Sequence, residues 1–275
     1  MGEVECYNGL EYRDPDSKEL SVLAGHSKWA NRVHRKTRQD NKRAKVFSKY
    51  SRAIMVAARE GGGNPEHNAT LRSVIDQASA AQMPKDNIEY AIKRGLGELD
   101  GVEFESVRYE GFGPGGVAML IECLTDNNQR TVAEIRNVMS KRDGKMSGAG
   151  SVTWMFEQKG VITVPRSEVD FDTVFLAGAE AGAEDIVEED EAYWELRTAM
   201  EDFHAVREAL KQESIPIERA ELAMIPTSTV DVPDSEAPKL LGLLDDLDDH
   251  DDVQNVYANF EISDEALARF EAESN

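Results

Sequence analysis

Apolar positions along the chain follow one period and then another. From Phe47 through Tyr50, Ile54 and Ala57/Ala58 they recur at three- and four-residue steps, the face of an amphipathic helix. Gly61-Gly62-Gly63 stops that helix. Asn64-Pro65-Glu66 predicts a restart, with a capping Asn and Pro at the first helical position, and Leu71, Val74, Ile75 and Ala78 on the buried side. Met83-Pro84-Lys85-Asp86-Asn87 breaks this second helix and opens a third, with Ile88, Ala91 and Ile92 inward and Gly95 as its C-terminal cap. Three helices with short Gly/Pro breaks predict a small bundle.

After Gly101 the period falls to two. Phe104 to Glu110 and Val117 to Leu124 read as strands around Gly111-Phe112-Gly113-Pro114-Gly115-Gly116, and Arg130 to Arg142 reads as a helix. Ser151 to Phe156 and Val161 to Val164 read as further strands. Then come a helix at Phe171 to Gly182, strands at Asp185 to Glu188 and Tyr193 to Thr198, a helix at Asp202 to Gln212 and a strand at Arg219 to Ile225. That β-α-β-β-α-β succession is the ferredoxin-like order. Past a linker at Pro226 to Pro233, a helix at Ala237 to Leu247 and a strand at Val253 to Phe260 would complete the unit begun at Phe104. The expected fold is α+β, an N-terminal helical bundle followed by two α/β ferredoxin-like domains, one inserted in the other. The expected boundaries are 24–101 for the helical domain, 102–159 with 230–275 for the discontinuous domain, and 160–229 for the insertion.

Composition narrows the class of protein. The 275 residues carry two cysteines, Cys6 and Cys123, with no CxxC pair, which excludes a disulfide scaffold and a cysteine-based zinc site. The apolar stretch Val117 to Ile121 is too short to span a bilayer, and the N-terminus lacks the basic-then-apolar order of a signal peptide. A cytoplasmic protein with no membrane partner is expected. The net charge of −22 argues at first against nucleic acid, but that figure is an average. Residues 24–60 hold 11 basic and 2 acidic residues, a net of +9, whereas residues 161–275 hold 7 basic and 31 acidic, a net of −24. Such asymmetry points to an anionic partner for one module.

Most familiar chemistries find no residues to carry them. Gly111 to Gly116 matches GxGxxG, but the glycines run into the strand from Val117, whereas a dinucleotide needs a helix N-terminus there. A wide hairpin loop, or a close backbone approach to a phosphate chain, remains. Asp245, Asp246, Asp248, Asp249, Asp251 and Asp252 crowd around His250, yet no register supplies both the Gly and the Glu of an EF-hand. A solvated helix end and turn is the reading favoured over a metal site. His26, His34, His67, His204 and His250 show no HExxH spacing, and no nucleophile elbow exists. No enzyme activity, cofactor, metal or small-molecule substrate is expected.

The basic segment is the strongest signal. Lys28, Arg32, Arg35, Lys36, Arg38, Lys42, Arg43, Lys45, Lys49 and Arg52 fall at mixed three- and four-residue spacings, away from the Phe47/Tyr50/Ile54 face. Neutralising several phosphates releases counterions and yields salt-dependent affinity, and phosphate contacts rather than base reading are expected here. Trp29, beside Lys28, either stacks on a base or plugs the bundle. The alternative for the whole run is a solvated helix balanced by the acidic C-terminal half.

Several motifs also resemble one family. Ala24-Gly25-His26-Ser27-Lys28-Trp29-Ala30-Asn31, His34-Arg35-Lys36, Ala57-Ala58-Arg59-Glu60-Gly61-Gly62-Gly63, Met83 to Ile88, Tyr109 to Val117, Glu122 to Asn127, Arg130 to Glu134 and Gly150-Ser151-Val152 are similar, in this order, to the YebC family. The resemblance runs from about residue 24 to 260 and implies a helical domain with two α/β domains. It further implies a regulator of transcription that binds DNA. A ribosome-associated translation factor that binds RNA is the alternative, and a protein-interaction scaffold is a second. Binding is expected at Lys28, Trp29, Arg32, His34, Arg35, Lys36, Arg38, Lys42, Arg43, Lys45, Lys49 and Arg52, with secondary contacts at Tyr109, Gly113, Gly115, Thr125, Asn127 and Arg130. Leu23 stands where family members usually begin with Met, so residues 1–22 are expected to lie upstream of the true start, with Leu23 reflecting a non-standard start codon, and residues 1–23 are set apart as an extension.

Overall fold

The computed structural model describes residue 29 and residues 43–99, 103–187 and 192–274. These fall into two compact units: Trp29 with the described parts of Met155–Thr229 forms one, and the described parts of Ala30–Trp154 together with Val230–Asn275 form the other.

The larger unit begins with three helices, α1 (Arg43–Gly61), α2 (Ala69–Ala80) and α3 (Lys85–Gly95). Their apolar stripes meet in one core, where Ile54, Met55, Ala57 and Ala58 of α1 pack against Leu71, Ala78, Met83, Ile88 and Ala91. The cap of α2 is Asn68, not Asn64. Asn68 is buried, its Oδ1 accepts from Leu71 N at 3.0 Å, and its amide donates to Ala57 O and Gly62 O at 2.8 Å each. One side chain thereby starts α2 and satisfies carbonyls at the end of α1, while Asn64 holds only a local turn through Glu66 N. Gly95 differs from its expected capping role as well. A Cβ there would stand 2.4 Å from Met55 O, so Gly95 permits α1 and α3 to approach, and Gly97 takes the left-handed conformation at φ 75°.

The same unit continues as an antiparallel sheet. Strands β1 (Glu105–Phe112), β2 (Ala118–Thr125) and β3 (Lys145–Ser147), with helix α4 (Asn128–Lys141) between β2 and β3, are joined after the other unit by returning elements. The insertion itself consists of β4 (Phe156–Pro165), α5 (Phe171–Ala181), β5 (Ala183–Val187), β6 (Tyr193–Thr198), α6 (Phe203–Gln212) and β7 (Arg219–Pro226). The chain then re-enters with β8 (Val230–Asp231), α7 (Ala237–Asp248), β9 (Val253–Ala258), β10 (Phe260–Glu261) and α8 (Asp264–Ser274). The first sheet has the order β3-β1-β2-β9, and a short β8–β10 pair ties the re-entry point to the chain after β9. α7 buries a broad apolar face against β9, α4 and α8, and Leu240, Leu241, Leu243, Leu244 and Leu247 are all inaccessible to solvent.

The inserted unit orders its strands β5-β6-β4-β7, every neighbour antiparallel, which is the ferredoxin-like arrangement. Ile162, Val164, Trp194 and Leu196 project from one sheet face onto Val174 of α5 and Phe203, Val206 and Leu210 of α6. The first sheet is threaded differently, hairpin first, with β1 and β2 both central.

Residues 151–155 are not strand. The backbone N–H groups of Gly150, Val152 and Thr153 donate to the Glu110 carboxylate at 2.7, 2.6 and 3.1 Å, which curls the segment into a 3₁₀ turn at Thr153–Met155. Glu110 is only 6% exposed. Burial raises its pKa, but these backbone bonds and the Thr153 hydroxyl at 2.9 Å outweigh burial and hold it below the ordinary carboxylate value. Replacing Glu110 by Ala leaves those donors unpaired, with Val152 fully buried, and is expected to lower stability by about 2–4 kcal/mol in urea denaturation. Because the folded pKa is depressed, the stabilisation is present above the unfolded pKa and lost as pH falls through the folded one.

Candidate nucleic-acid interface

Helix α1 carries Lys45, Lys49 and Arg52 on one stripe, at i, i+4 and i+7. They face the C-terminal end of α7 and the turn after it. Lys45 Nζ lies 3.3 Å from Asp249 Oδ1 and also donates to Asp249 O. Lys49 Nζ donates to Asp248 O at 2.9 Å and to Asp248 Oδ1 at 3.0 Å. Arg52 donates to Asp251 O, stands 3.4 Å from Asp252 Oδ1, and places its guanidinium 5.4 Å from the Phe104 ring centroid.

This docking has a plain electrostatic cause. The last turn of α7 has no basic residue of its own, yet it combines the negative end of a helix dipole with Asp245, Asp246 and Asp248. External cations are needed there, and α1 supplies them, with Arg142 of the turn after α4 adding a 2.8 Å bond to Asp246. The lysine and arginine ends thus satisfy both carboxylates and terminal carbonyls.

Asp252 anchors the arrangement. It is 3% exposed, and its Oδ2 accepts from Arg130 and from the Thr131 hydroxyl at 2.7 Å each. Burial alone would raise its pKa, but the Arg130 and Thr131 bonds and the charges of Arg130 and Arg52 hold it below the ordinary value. A relay of hydroxyls extends from it. Asn127 N–H donates to Thr125 Oγ1 at 2.9 Å, Thr125 lies 2.7 Å from Thr131 Oγ1, and Thr131 donates onward to Asp252. Only with Thr125 as donor to Thr131 does each hydroxyl proton in this relay find one acceptor.

The same geometry locates the expected secondary contacts. Asn127 caps α4 by accepting from Arg130 N at 3.1 Å, and Arg130 also pairs with Asp126 at 2.9 Å. Tyr109 donates to Asn128 Oδ1 at 2.6 Å, and burial, followed by the charges of Cys123, Glu105 and Asp252, pushes its pKa up to about 12. Gly113 is packed under Met119 and Leu240, and Gly115, at φ 73°, turns the hairpin beside Val232 and Glu236. Tyr109, Thr125, Asn127 and Arg130 therefore hold the turn that receives α1. Trp29 is 4% exposed. Lys28, Arg32, His34, Arg35, Lys36, Arg38 and Lys42 lie outside the described residues, and Arg43 opens α1.

Glu134, His250 and Asp252 bring three potential ligand atoms within 4.8 Å of one another. Their hydrogen bonds describe a different arrangement. Asp252 N–H donates to His250 Nδ1 at 3.2 Å, so Nε2 carries the ring proton and faces Glu134 Oε2 at 3.0 Å, while Asp252 Oδ2 already serves Arg130 and Thr131. The cluster is a satisfied hydrogen-bond network around the docking turn.

Two features escaped the sequence reading, Glu110 and Trp154. Glu110 sits where a strand alternation turns inward, a weak signal, and nothing local marks Trp154 as exposed.

Fold and sequence together define a multidomain α+β protein whose charge is segregated along the chain. Residues 27–98 match the model for the TACO1/YebC protein N-terminal domain, and residues 104–260 match that for the TACO1/YebC second and third domain. The chain belongs to the TACO1/YebC family. A probable transcriptional regulatory protein of Persephonella marina is 52% identical over 248 residues, covering 90% of this chain and 99% of that one. A protein of the same description from Acidithiobacillus ferrooxidans is 52% identical over 92% of this chain and 100% of its own length. The crystal structure of a conserved hypothetical protein from Aquifex aeolicus is similar at a TM-score of 0.76 and 45% identity, covering 82% of this chain and 93% of that one. The first two of these relatives are described as probable transcriptional regulatory proteins. Among the described residues no helix is long and apolar enough to cross a membrane.

Proposed function

We propose that this chain is a cytoplasmic regulatory protein that binds nucleic acid through the phosphate backbone, using the cations of residues 28–43. The observation that carries this is the division of the basic run. The acidic turn takes Lys45, Lys49 and Arg52, and residues 28–43 still hold seven basic residues against Asp40 alone. Lys45, Lys49 and Arg52 anchor α1 to the acidic turn, and the cations of residues 28–43 are assigned to phosphate. The strongly acidic remainder repels a polyanion, so only this end of the chain faces it. The relatives' description as probable transcriptional regulatory proteins supports regulation of transcription as the role, and duplex DNA is the target assigned to it.

The experiment is a salt titration of affinity for duplex DNA and for ribosomes, paired with crosslinking in cells and sequencing of the bound nucleic acid. Affinity is expected to fall linearly in log–log form, with a slope of about −4 to −6 if five to seven phosphates are neutralised on duplex DNA. A flat response on both targets overturns the proposal. Salt-sensitive co-sedimentation with ribosomes, with no binding to duplex DNA, moves the role to translation.

A further inference from the structure

We infer that Trp154 is a stacking platform for an unpaired nucleobase, a second nucleic-acid contact outside the basic segment. The inference rests on the nucleic-acid reading above and specifies the chemistry of an additional site.

Trp154 is 72% exposed, the highest value among the large apolar side chains exposed in the described residues. An indole in water forgoes the burial that usually places this residue inside. Its position is nonetheless defined. The indole N–H donates to Ser151 O at 3.0 Å, Ser151 closes a turn back to Gly148 O, and the Glu110 carboxylate grips the backbone of Gly150, Val152 and Thr153. A ring ordered in advance loses little further freedom on binding.

The surroundings leave room for a flat ligand. In the β1–β3 register Glu110 lies opposite Ser147, and Phe112, itself partly exposed, lies opposite the exposed Lys145. Glu110, Phe112, Ser147 and Lys145 therefore share one sheet face. Gly148, Ala149 and Gly150 are exposed, and a Cβ at either glycine would meet nothing within 4 Å, so the surface beside the clamped turn is low and open. A protein partner would call for a contiguous apolar patch. Ser147, Gly148, Ala149, Gly150, Ser151 and Thr153 offer small and polar groups instead. A base needs an aromatic face, and stacking is tolerant of sequence because every base has a π-face.

The test uses the full chain with fluorescently labelled oligo(dT) and oligo(U) of about twelve nucleotides, and a blunt DNA duplex, in fluorescence anisotropy. Trp154→Ala is expected to weaken binding to at least one single strand about ten-fold, Trp154→Phe to stay within about three-fold, and duplex affinity to be unchanged in both. The strand that loses affinity identifies DNA or RNA as the source of the base. Unchanged affinity of Trp154→Ala for both single strands overturns the inference, and so does an equal loss on single strands and duplex. Circular dichroism establishes that the variant is folded. Reversing charge at Arg35, Lys36, Lys42 and Arg43 is read separately. If that variant still binds duplex, the reading of residues 28–43 fails, whereas the Trp154 inference is decided by the single strands alone.

Discussion

Replacing Arg35, Lys36, Lys42 and Arg43 together by Glu is expected to reduce affinity for duplex DNA at least a hundred-fold at moderate salt. Each phosphate contact contributes roughly 0.9 to the slope of log affinity against log salt on duplex DNA, so four lost contacts remove about 3.5 units. The four introduced carboxylates add repulsion to that loss. Fold should survive, because the cations that pin α1 to the acidic turn are Lys45, Lys49 and Arg52, and none of these is altered. An anisotropy titration at several salt concentrations, alongside thermal unfolding, separates the two effects. Wild-type affinity in this variant would exclude residues 28–43 as the binding element.

Asp252→Ala should produce the largest loss of stability among single changes at the docking turn. The carboxylate accepts from Arg130 and Thr131 and pairs with Arg52, so its removal takes one anionic partner from each of two guanidinium groups and the shortest acceptor from a buried hydroxyl. Breaking a buried ion pair by removing one partner costs about 3–5 kcal/mol. Arg130 is 42% exposed and recovers part of its hydration, which places the loss near the lower bound. In a unit of this size that corresponds to a fall in Tm of roughly 10 °C. Asp252→Asn keeps an acceptor for Thr131 without the charge and should lie between Ala and wild type. The folded pKa of Asp252 is depressed, so its stabilisation is present above the unfolded carboxylate pKa and lost as pH falls through the folded value. Loosening of α1 at acid pH should follow, measurable as faster amide exchange across Phe47 to Arg52.

Much of the fold was legible because its cause is local. The three-residue steps of Ile54, Ala57 and Ala58 and the period-two runs around Val161 and Tyr193 mark helices and strands whatever they pack against. The ferredoxin-like insertion was readable from element order alone. Failures came where a distant group took over a local one. Asn64 with Pro65 is a sound capping signal, but Asn68 reaches the end of α1 as well and makes the better cap. Residues 151–156 have strand propensity, but Glu110, some forty positions earlier, captures their backbone donors. Among the candidate site residues, the run of cations was visible, whereas the pairing of Lys45, Lys49 and Arg52 with the acidic turn was not. Lys49 and Asp248 are 199 positions apart, and no spacing rule joins them.

By itself the sequence determined the elements, the helical module and the segregation of charge, since periodicity, turn residues and charge are carried by neighbours in the chain. Only the tertiary structure decided which cations are engaged. Topology brings the end of α7 and its carboxylates against α1, and a charge buried beside an opposite one interacts far more strongly than the same pair in solvent. Tertiary structure likewise decided that Glu110 turns inward and Trp154 outward, because burial depends on what the rest of the chain brings to each side chain.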